Sequence, residues 1–247
     1  MKFYYCNKSI NQFESVDKET FVSKYNESYF IGNERAIKGV SQNSQIAEDE
    51  IERILQNGFK CKEDVIKILA WKIGKIDHKN SEKNNEIIFS KDWKNAYDGI
   101  IWRYGIEWEG INEFVEYLTS NFEYLNELAF SDPQKLLCEL RNKSPKGIGT
   151  VYIITLLYFI SKGKYPIYDR FANLALDGII NDKNPKNDKI KEVTLPTKDS
   201  KKFLRIYDDY VKPYSDKISK IFDIDYNDLK TYRDVDRALW VYGHAFK

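Results

Sequence analysis

The feature that most constrains the fold is an apolar run, Val151–Ile160, that directly follows the turn Gly147-Ile148-Gly149. Ten residues without a charge call for burial, and they are about half of what a membrane-spanning helix needs. A second turn follows at Gly163, and after it comes a lone acid, Asp169. We therefore expect a buried central element with a turn at each end.

This central element fits either a helix or a buried strand. Several of its residues are β-branched, which favours a strand. Its length and the lack of a second convincing strand favour a helix over Thr150–Ser161, with Gly163 as the C-cap. We predict a helix, because tertiary context commonly overrides propensity in a central element.

Apolar residues at helical spacing recur along the chain and predict an all-α fold, with at most a minor N-terminal strand near Phe3–Tyr5. We expect loops at Lys75–Ile87 and Asn181–Asp199, which are polar and lack periodicity. We also expect one compact unit of two helical subdomains, residues 1–90 with 200–247 and residues 91–199. The other predicted helices are Lys18–Asn26, Ser44–Gln56, Lys62–Ile73, Lys91–Tyr104, Ile111–Ser120, Phe122–Phe130, Gln134–Asn142, a helix starting near Asp169, Lys201–Lys220 and Asp225–Tyr242.

Composition excludes several classes of protein. The 247 residues are 42% hydrophobic, which is enough for an ordinary globular core. Three isolated cysteines form no Cys-x-x-Cys pair, which argues against an iron–sulfur cluster or a cysteine zinc site and fits a reducing cytoplasm. Two scattered histidines argue against a histidine metal site, and the N-terminus lacks signal-peptide character. We expect a cytoplasmic protein without a membrane span.

The charges are segregated although their sum is only +1. Glu107–Glu139 contains eight acids and one lysine, whereas Leu140–Tyr168 contains no acid and five bases. This distribution predicts one face for a polyanion and another for solvent. The five bases are Arg141, Lys143, Lys146, Lys162 and Lys164.

The glycine turn has a chemistry that suits a phosphate. A helix that begins at such a turn leaves its first backbone N–H groups unpaired, and its dipole favours an anion there. Gly147 and Gly149 carry no side chain and permit close approach, and Lys143 and Lys146 add charge. Contacts of this kind hold a nucleic-acid backbone without reading its sequence. The structural alternative is that Gly-Ile-Gly is only a turn.

In this region the chain resembles the helix-hairpin-helix DNA glycosylase superfamily. That family has a Leu-Pro-Gly-Val/Ile-Gly turn, followed at this interval by Val/Ile-x-Asp with the catalytic aspartate. Here Lys146-Gly147-Ile148-Gly149 and Pro166-Ile167-Tyr168-Asp169 match, and the resemblance covers Gln134–Phe171. It implies a multi-helix glycosylase-like fold, double-stranded DNA as the partner and Asp169 as the catalytic residue. Together with the turn chemistry and the basic run, it makes Lys143, Lys146, Gly147, Gly149, Val151, Lys162 and Lys164 the candidate DNA contacts.

The departures from the family pattern limit the kinds of glycosylase activity that the resemblance implies. Val151 stands where bifunctional members have a nucleophilic lysine, so the resemblance implies a monofunctional glycosylase or no catalysis. Lys146 stands where proline is usual, with Pro145 one position early. The missing cysteines exclude the iron–sulfur branch, and the N-terminal region is short for the sheet of the larger members. We expect no cofactor, leaving open a monovalent cation at the hairpin turn.

A carboxylate at Asp169 would stabilise the positive charge that builds on the deoxyribose ring and could activate the attacking water. Its structural alternative is an N-cap of the helix Arg170–Leu176. A flipped base would need an aromatic pocket. The candidates are Trp102, Trp108, Trp240 and Tyr242, each of which could equally be a core residue.

The sequence therefore predicts a monomeric, monofunctional DNA glycosylase of base-excision repair, associated with the nucleoid. A second hypothesis keeps the fold and the DNA binding but not the chemistry, as in an accessory or defence-associated factor. A third is an α-helical protein-interaction domain in which the glycine turn has no ligand.

Overall fold

The structure is a computed structural model that describes residues 1–7, 12–32, 37, 40–93, 102–103, 106–107, 110–224 and 228–246. The described part is mostly helical, with short antiparallel strand pairs, which confirms the predicted all-α class. Within these ranges no helix has the length and apolar character needed to cross a membrane.

The regular elements include two strand pairs. The pair β1–β2 is antiparallel, with Phe3 opposite Val16. The longer elements are β1 (Phe3–Asn7), β2 (Gln12–Val16), α1 (Lys18–Ile31), α2 (Gln45–Asn57), α3 (Lys62–Lys72), α4 (His78–Asn84), β3 (Trp102–Arg103), β4 (Ile106–Glu107), α5 (Ile111–Ser120), α6 (Phe122–Ser131), α7 (Pro133–Lys143), α8 (Thr150–Ile160), α9 (Arg170–Ile180), α10 (Lys212–Phe222) and α11 (Leu229–Gly243). Short 3-10 or π segments cover Lys91–Trp93, Lys201–Arg205, Tyr207–Val211 and His244–Phe246.

Three sequence predictions were wrong in their local detail. The predicted loop Lys75–Ile87 contains α4, whose first turn is capped by Asp77 through the Asn80 N–H at 3.1 Å. The predicted helix Lys91–Tyr104 is a single 3-10 turn at its start and strand β3 near its end, with residues 94–101 and 104 outside the described residues. The predicted helix Lys201–Lys220 is divided into a 3-10 turn, a π turn and α10.

The contacts divide the chain into two compact units. The first comprises residues 1–43, 167–194 and 212–247, and the second comprises residues 44–166 and 195–211. The predicted subdomains had different boundaries. They grouped residues 44–90 and 200–211 with the two ends of the chain, and residues 167–194 with the hairpin. In the structure α2 and α3 contact α8, whereas α9 contacts α11, and these contacts set the observed division.

Helix α8 is the centre of the second unit. Every residue from Tyr152 to Ile160 is buried, and α2, α3, α6 and α7 pack against the helix. The ring of Phe159 contacts Trp71 of α3 edge-on, with 6.1 Å between ring centroids. The helix prediction for this segment is confirmed, since burial on all sides outweighs the strand preference of its β-branched residues.

The first unit is organised around α11, which packs against α1 and α9. Helices α9 and α11 approach closely at Gly243, where an added Cβ atom would lie 1.8 Å from the carbonyl oxygen of Phe171. The Phe171 ring stacks on His244, with 3.7 Å between ring centroids. These contacts fix the first turn of α9 directly after Asp169.

We predict that Gly243→Ala destabilises the protein by about 2 kcal/mol, the usual cost of an overpacked core position. A glycine-to-alanine change in an unconstrained helix would instead stabilise by about 0.5–1 kcal/mol. The measurement is the free energy of unfolding from denaturant titration. Gly149→Ala is the control for the added methyl group, because a Cβ there meets nothing within 4 Å, and it should cost only about 0.5 kcal/mol since glycine is the better N-cap residue. A stabilising Gly243→Ala would contradict the packing of α9 on α11.

Candidate nucleic-acid interface

The turn between α7 and α8 connects two helices that pack against each other. Helix α7 ends at Lys143, Gly147 has a φ of +96°, and Gly149 is the N-cap of α8 with φ −95° and ψ 177°. Only Gly147 needs the backbone freedom of glycine, because the Gly149 conformation is open to any residue. Ile148 between them is 1% exposed and anchors the turn in the core of the second unit.

The N-terminus of α8 carries donors without a partner in the protein. No side chain caps this helix, and its first intrahelical bonds run from the N–H groups of Tyr152 and Ile153 to the carbonyl of Gly149, at 3.1 and 3.3 Å. Among the described residues, nothing accepts from the N–H groups of Gly149, Thr150 or Val151. These three donors lie at the positive end of the helix dipole, which favours an anion.

An open cleft of about 520 Å³ lies beside this helix end. Val151 is 38% exposed and lies on the cleft wall. A valine there gives the cleft no nucleophile. The residues that line the cleft are Lys72, the turn and first residues of α8 from Gly147 to Tyr152, and the segment Leu195–Asp199.

The segment Leu195–Asp199 is bonded to both ends of the turn. The Lys198 ammonium donates to the carbonyl oxygen and the hydroxyl of Ser144, both at 3.1 Å, and to the carbonyl oxygen of Pro145 at 2.9 Å. The Thr150 hydroxyl donates to the carbonyl of Pro196 at 2.6 Å. Burial lowers the pKa of Lys198, since a desolvated ammonium is disfavoured, and the three hydrogen bonds offset that cost.

Lys198 was missed by the sequence reasoning. It lies in a polar stretch without periodicity and contacts residues 53 and 54 positions earlier in the chain. Five of the 19 residues of Asn181–Asp199 are lysines, so the residue type does not single out Lys198. Pro196 two positions earlier was a hint of a fixed backbone, but nothing in the sequence pairs it with the hairpin.

The bases near the turn are held in different ways. Lys146 is exposed on the turn itself. Lys143 is also exposed, and its ammonium lies 5.1 Å from the ring centroid of Tyr117 on α5. The Arg141 guanidinium lies 5.7 Å from the ring centroid of Phe203. Of the predicted bases, Lys146 is therefore the one that lies on the turn itself with its side chain exposed to solvent.

Lys162 and Lys164 lie at the other end of α8, about 16 Å from the glycine turn at 1.5 Å per residue. Lys162 has a φ of +50° and closes the helix, because its N–H donates to Phe159 while the Gly163 N–H donates to Tyr158. The Lys164 ammonium lies 4.5 Å from the ring centroid of Phe130. The basic run in the sequence is thus divided between the two ends of a helix.

Asp169 belongs to the first unit, so its surroundings are described separately from those of the turn. It is half-buried and is the N-cap of α9, where its side chain accepts from the Phe171 N–H at 2.8 Å. The exposed Arg170 beside it pairs with Glu192 at 3.5 Å. Asp169 therefore has the N-cap role that the structural alternative predicts.

The predicted base-pocket residues have different environments. Tyr242 is fully buried, with its ring 5.2 Å from Phe21 and 5.4 Å from Tyr25 between centroids, so it is a core residue of the first unit. Trp240 is half-buried and contacts the rings of Tyr29 and His244. Trp102 lies in β3 with its side chain outside the described part of the structure, and Trp108 lies wholly outside the described residues.

The described residues contain no candidate metal site, and the comparisons with known proteins suggest no role for the chain. Among the described residues, no group of three or more His, Cys, Asp or Glu side chains could hold a metal ion. Comparison with family models, with curated proteins and with solved structures found no match for this chain.

The capping geometry predicts different effects for two substitutions of Asp169. Asp169→Ala removes the cap and lowers the free energy of unfolding by about 1 kcal/mol, whereas Asp169→Asn keeps an acceptor for the Phe171 N–H and changes it by only a few tenths. Denaturant unfolding of both variants measures the difference. Equal losses in the two variants would show that the carboxylate charge, and not the cap, stabilises this helix.

Proposed function

We propose that the protein binds double-stranded DNA by its sugar–phosphate backbone, through the turn between α7 and α8. The observation that carries the proposal is the uncapped start of α8. There three N–H groups without an acceptor in the protein lie beside an open cleft, at a helix end that favours an anion. A phosphate supplies the acceptors and the charge that this arrangement suits.

The charge near the turn supports a nucleic-acid partner more than the net charge of the whole chain does. The chain carries only +1, but the turn adds the exposed Lys146, and Lys72 lies on the cleft wall. Affinity for DNA decreases with salt according to the number of phosphates neutralised, with a slope of about 0.9 per phosphate. With so few bases at the turn, the interface contacts a small number of phosphates and binds without sequence preference.

The proposal predicts that Gly149→Asp abolishes most of the duplex affinity while the fold is retained. Aspartate is a favourable N-cap residue, and the Gly149 backbone conformation accommodates it. Its carboxylate would accept from the N–H groups of α8 in place of a phosphate and would repel the DNA backbone. We expect a loss of about ten-fold or more at low salt, measured by fluorescence anisotropy of a labelled duplex.

The matched control is Gly149→Asn, which has the same size and capping ability but no charge. The asparagine variant should bind better than the aspartate variant, and the gap between them should shrink as salt is added, because screening weakens a charge repulsion. If wild-type protein shows no affinity for a duplex at low salt, the proposal fails, and the third hypothesis, a protein-interaction domain, is favoured.

We assign the chemistry of a monofunctional DNA glycosylase to Asp169. The support is the spacing of Asp169 from the glycine turn, which resembles the glycosylase pattern, together with the fixed position of its carboxylate at the start of α9. A negative charge held next to the deoxyribose stabilises the oxocarbenium-like transition state more than the ground state. Val151 leaves no amine for lyase chemistry at the corresponding position.

The corresponding prediction is that wild-type protein releases a damaged base from a duplex and that Asp169→Asn does not. The asparagine keeps the helix cap but removes the charge, so duplex affinity should be retained. The measurement is the formation of alkali-labile sites in a panel of duplexes, each with a single lesion. Asp228→Asn is the matched control, because Asp228 caps α11 through the Thr231 N–H at 3.1 Å in the same way.

The same assay separates this activity from the second hypothesis. Duplex binding without base release by the wild-type protein across the lesion panel would exclude the glycosylase assignment. It would leave a DNA-binding protein in which Asp169 is only a helix cap. Base release that persists in Asp169→Asn would place the chemistry on another residue.

A further inference from the structure

Lys198 is the residue that connects the long polar loop to the hairpin. Its ammonium has three N–H donors, and the structure gives it three oxygen acceptors, two on Ser144 and one on Pro145. Ser144 is the C-cap of α7, where backbone carbonyls lack intrahelical donors and the helix dipole is negative. A positive charge at this point is favourable for both reasons.

We infer that Lys198 is a positioning residue for the turn. Its ammonium occupies the place at the turn where the sequence left open a free monovalent cation, and it supplies the same single positive charge. Carbonyl and hydroxyl oxygens of this kind are also the ligands of an alkali cation. The oxygens of Ser144 and Pro145 already accept from Lys198, so a free cation there would have to displace the ammonium. The role in DNA binding rests on the proposed function, whereas the role in ordering the turn does not.

The segment that carries Lys198 holds the turn at both ends. Lys198 binds the α7 side through Ser144 and Pro145, and the carbonyl of Pro196 accepts from Thr150 at the start of α8. The Pro145 carbonyl also accepts from the Ile148 N–H at 3.3 Å, which connects the lysine to the middle of the turn. Two attachments from one short segment restrict the distance between the end of α7 and the start of α8.

The consequence for a ligand is pre-organisation. The oxygens of the turn are bonded to Lys198, while the N–H groups of Gly149, Thr150 and Val151 have no acceptor among the described residues. A turn that is already ordered loses less conformational entropy when a phosphate binds. Lys198 therefore acts through the backbone of the turn, since all three of its donors have protein acceptors.

The test is the variant Lys198→Met, studied at constant ionic strength in potassium, ammonium or choline chloride. Without DNA, the amides of residues 146–152 should exchange with solvent about ten-fold faster in the variant in choline, and potassium or ammonium ions should restore slow exchange. The wild-type protein should show the same exchange in all three salts. Duplex affinity should follow the same pattern, with a loss of about ten-fold in choline that potassium or ammonium reverses.

Lys201→Met is the matched control, because Lys201 is an exposed lysine three residues away in the same unit. It should behave as the wild type in every salt. Three results would overturn the inference: a wild-type protein that itself needs potassium, a Lys198→Met variant that is unchanged, or a loss that no small cation restores. If the wild type binds no duplex, the proposed function fails, and amide exchange alone still decides whether Lys198 orders the turn.

Discussion

Helix α8 is buried from Tyr152 to Ile160, and each segment around it must present an apolar face to it. This requirement brings α2, α3, α6 and α7 against it and accounts for the second unit. It also explains why the glycine turn lies where it does. Because α8 is buried along nearly all of its length, it can reach solvent only at its ends. At its N-terminal end, three N–H groups have no acceptor among the described residues.

The two ends of the hairpin turn expose backbone groups of opposite polarity. The end of α7 presents carbonyl oxygens, which Lys198 satisfies, and the start of α8 presents N–H groups, which no described residue satisfies. Lys198 thus compensates the negative side, while the N–H groups on the positive side have no acceptor among the described residues. Asp169 is in the opposite situation, because its carboxylate already caps α9, and its proposed chemistry has to coexist with that structural role.

Local patterns in the sequence predicted the elements that depend on local physics. The helices α2, α3 and α5–α8 follow from apolar spacing and turn residues such as Gly58 and Asp132, and the hairpin follows from Gly147 and Gly149. Long-range contacts were beyond such reasoning. Lys198 contacts the turn across 53 residues of sequence, and Gly243 contacts Phe171 across a still longer separation. The five bases from Arg141 to Lys164 are neighbours in the sequence, but the buried helix α8 places Lys162 and Lys164 at the end opposite the glycine turn.

If the uncapped start of α8 contacts the DNA backbone, titration of ¹⁵N-labelled protein with a short duplex at low salt should shift the amide resonances at that helix end. The largest changes are expected at Gly149, Thr150 and Val151, whose N–H groups would gain phosphate acceptors. A duplex that binds and shifts amides elsewhere, while these three stay unchanged, would contradict the proposed contact.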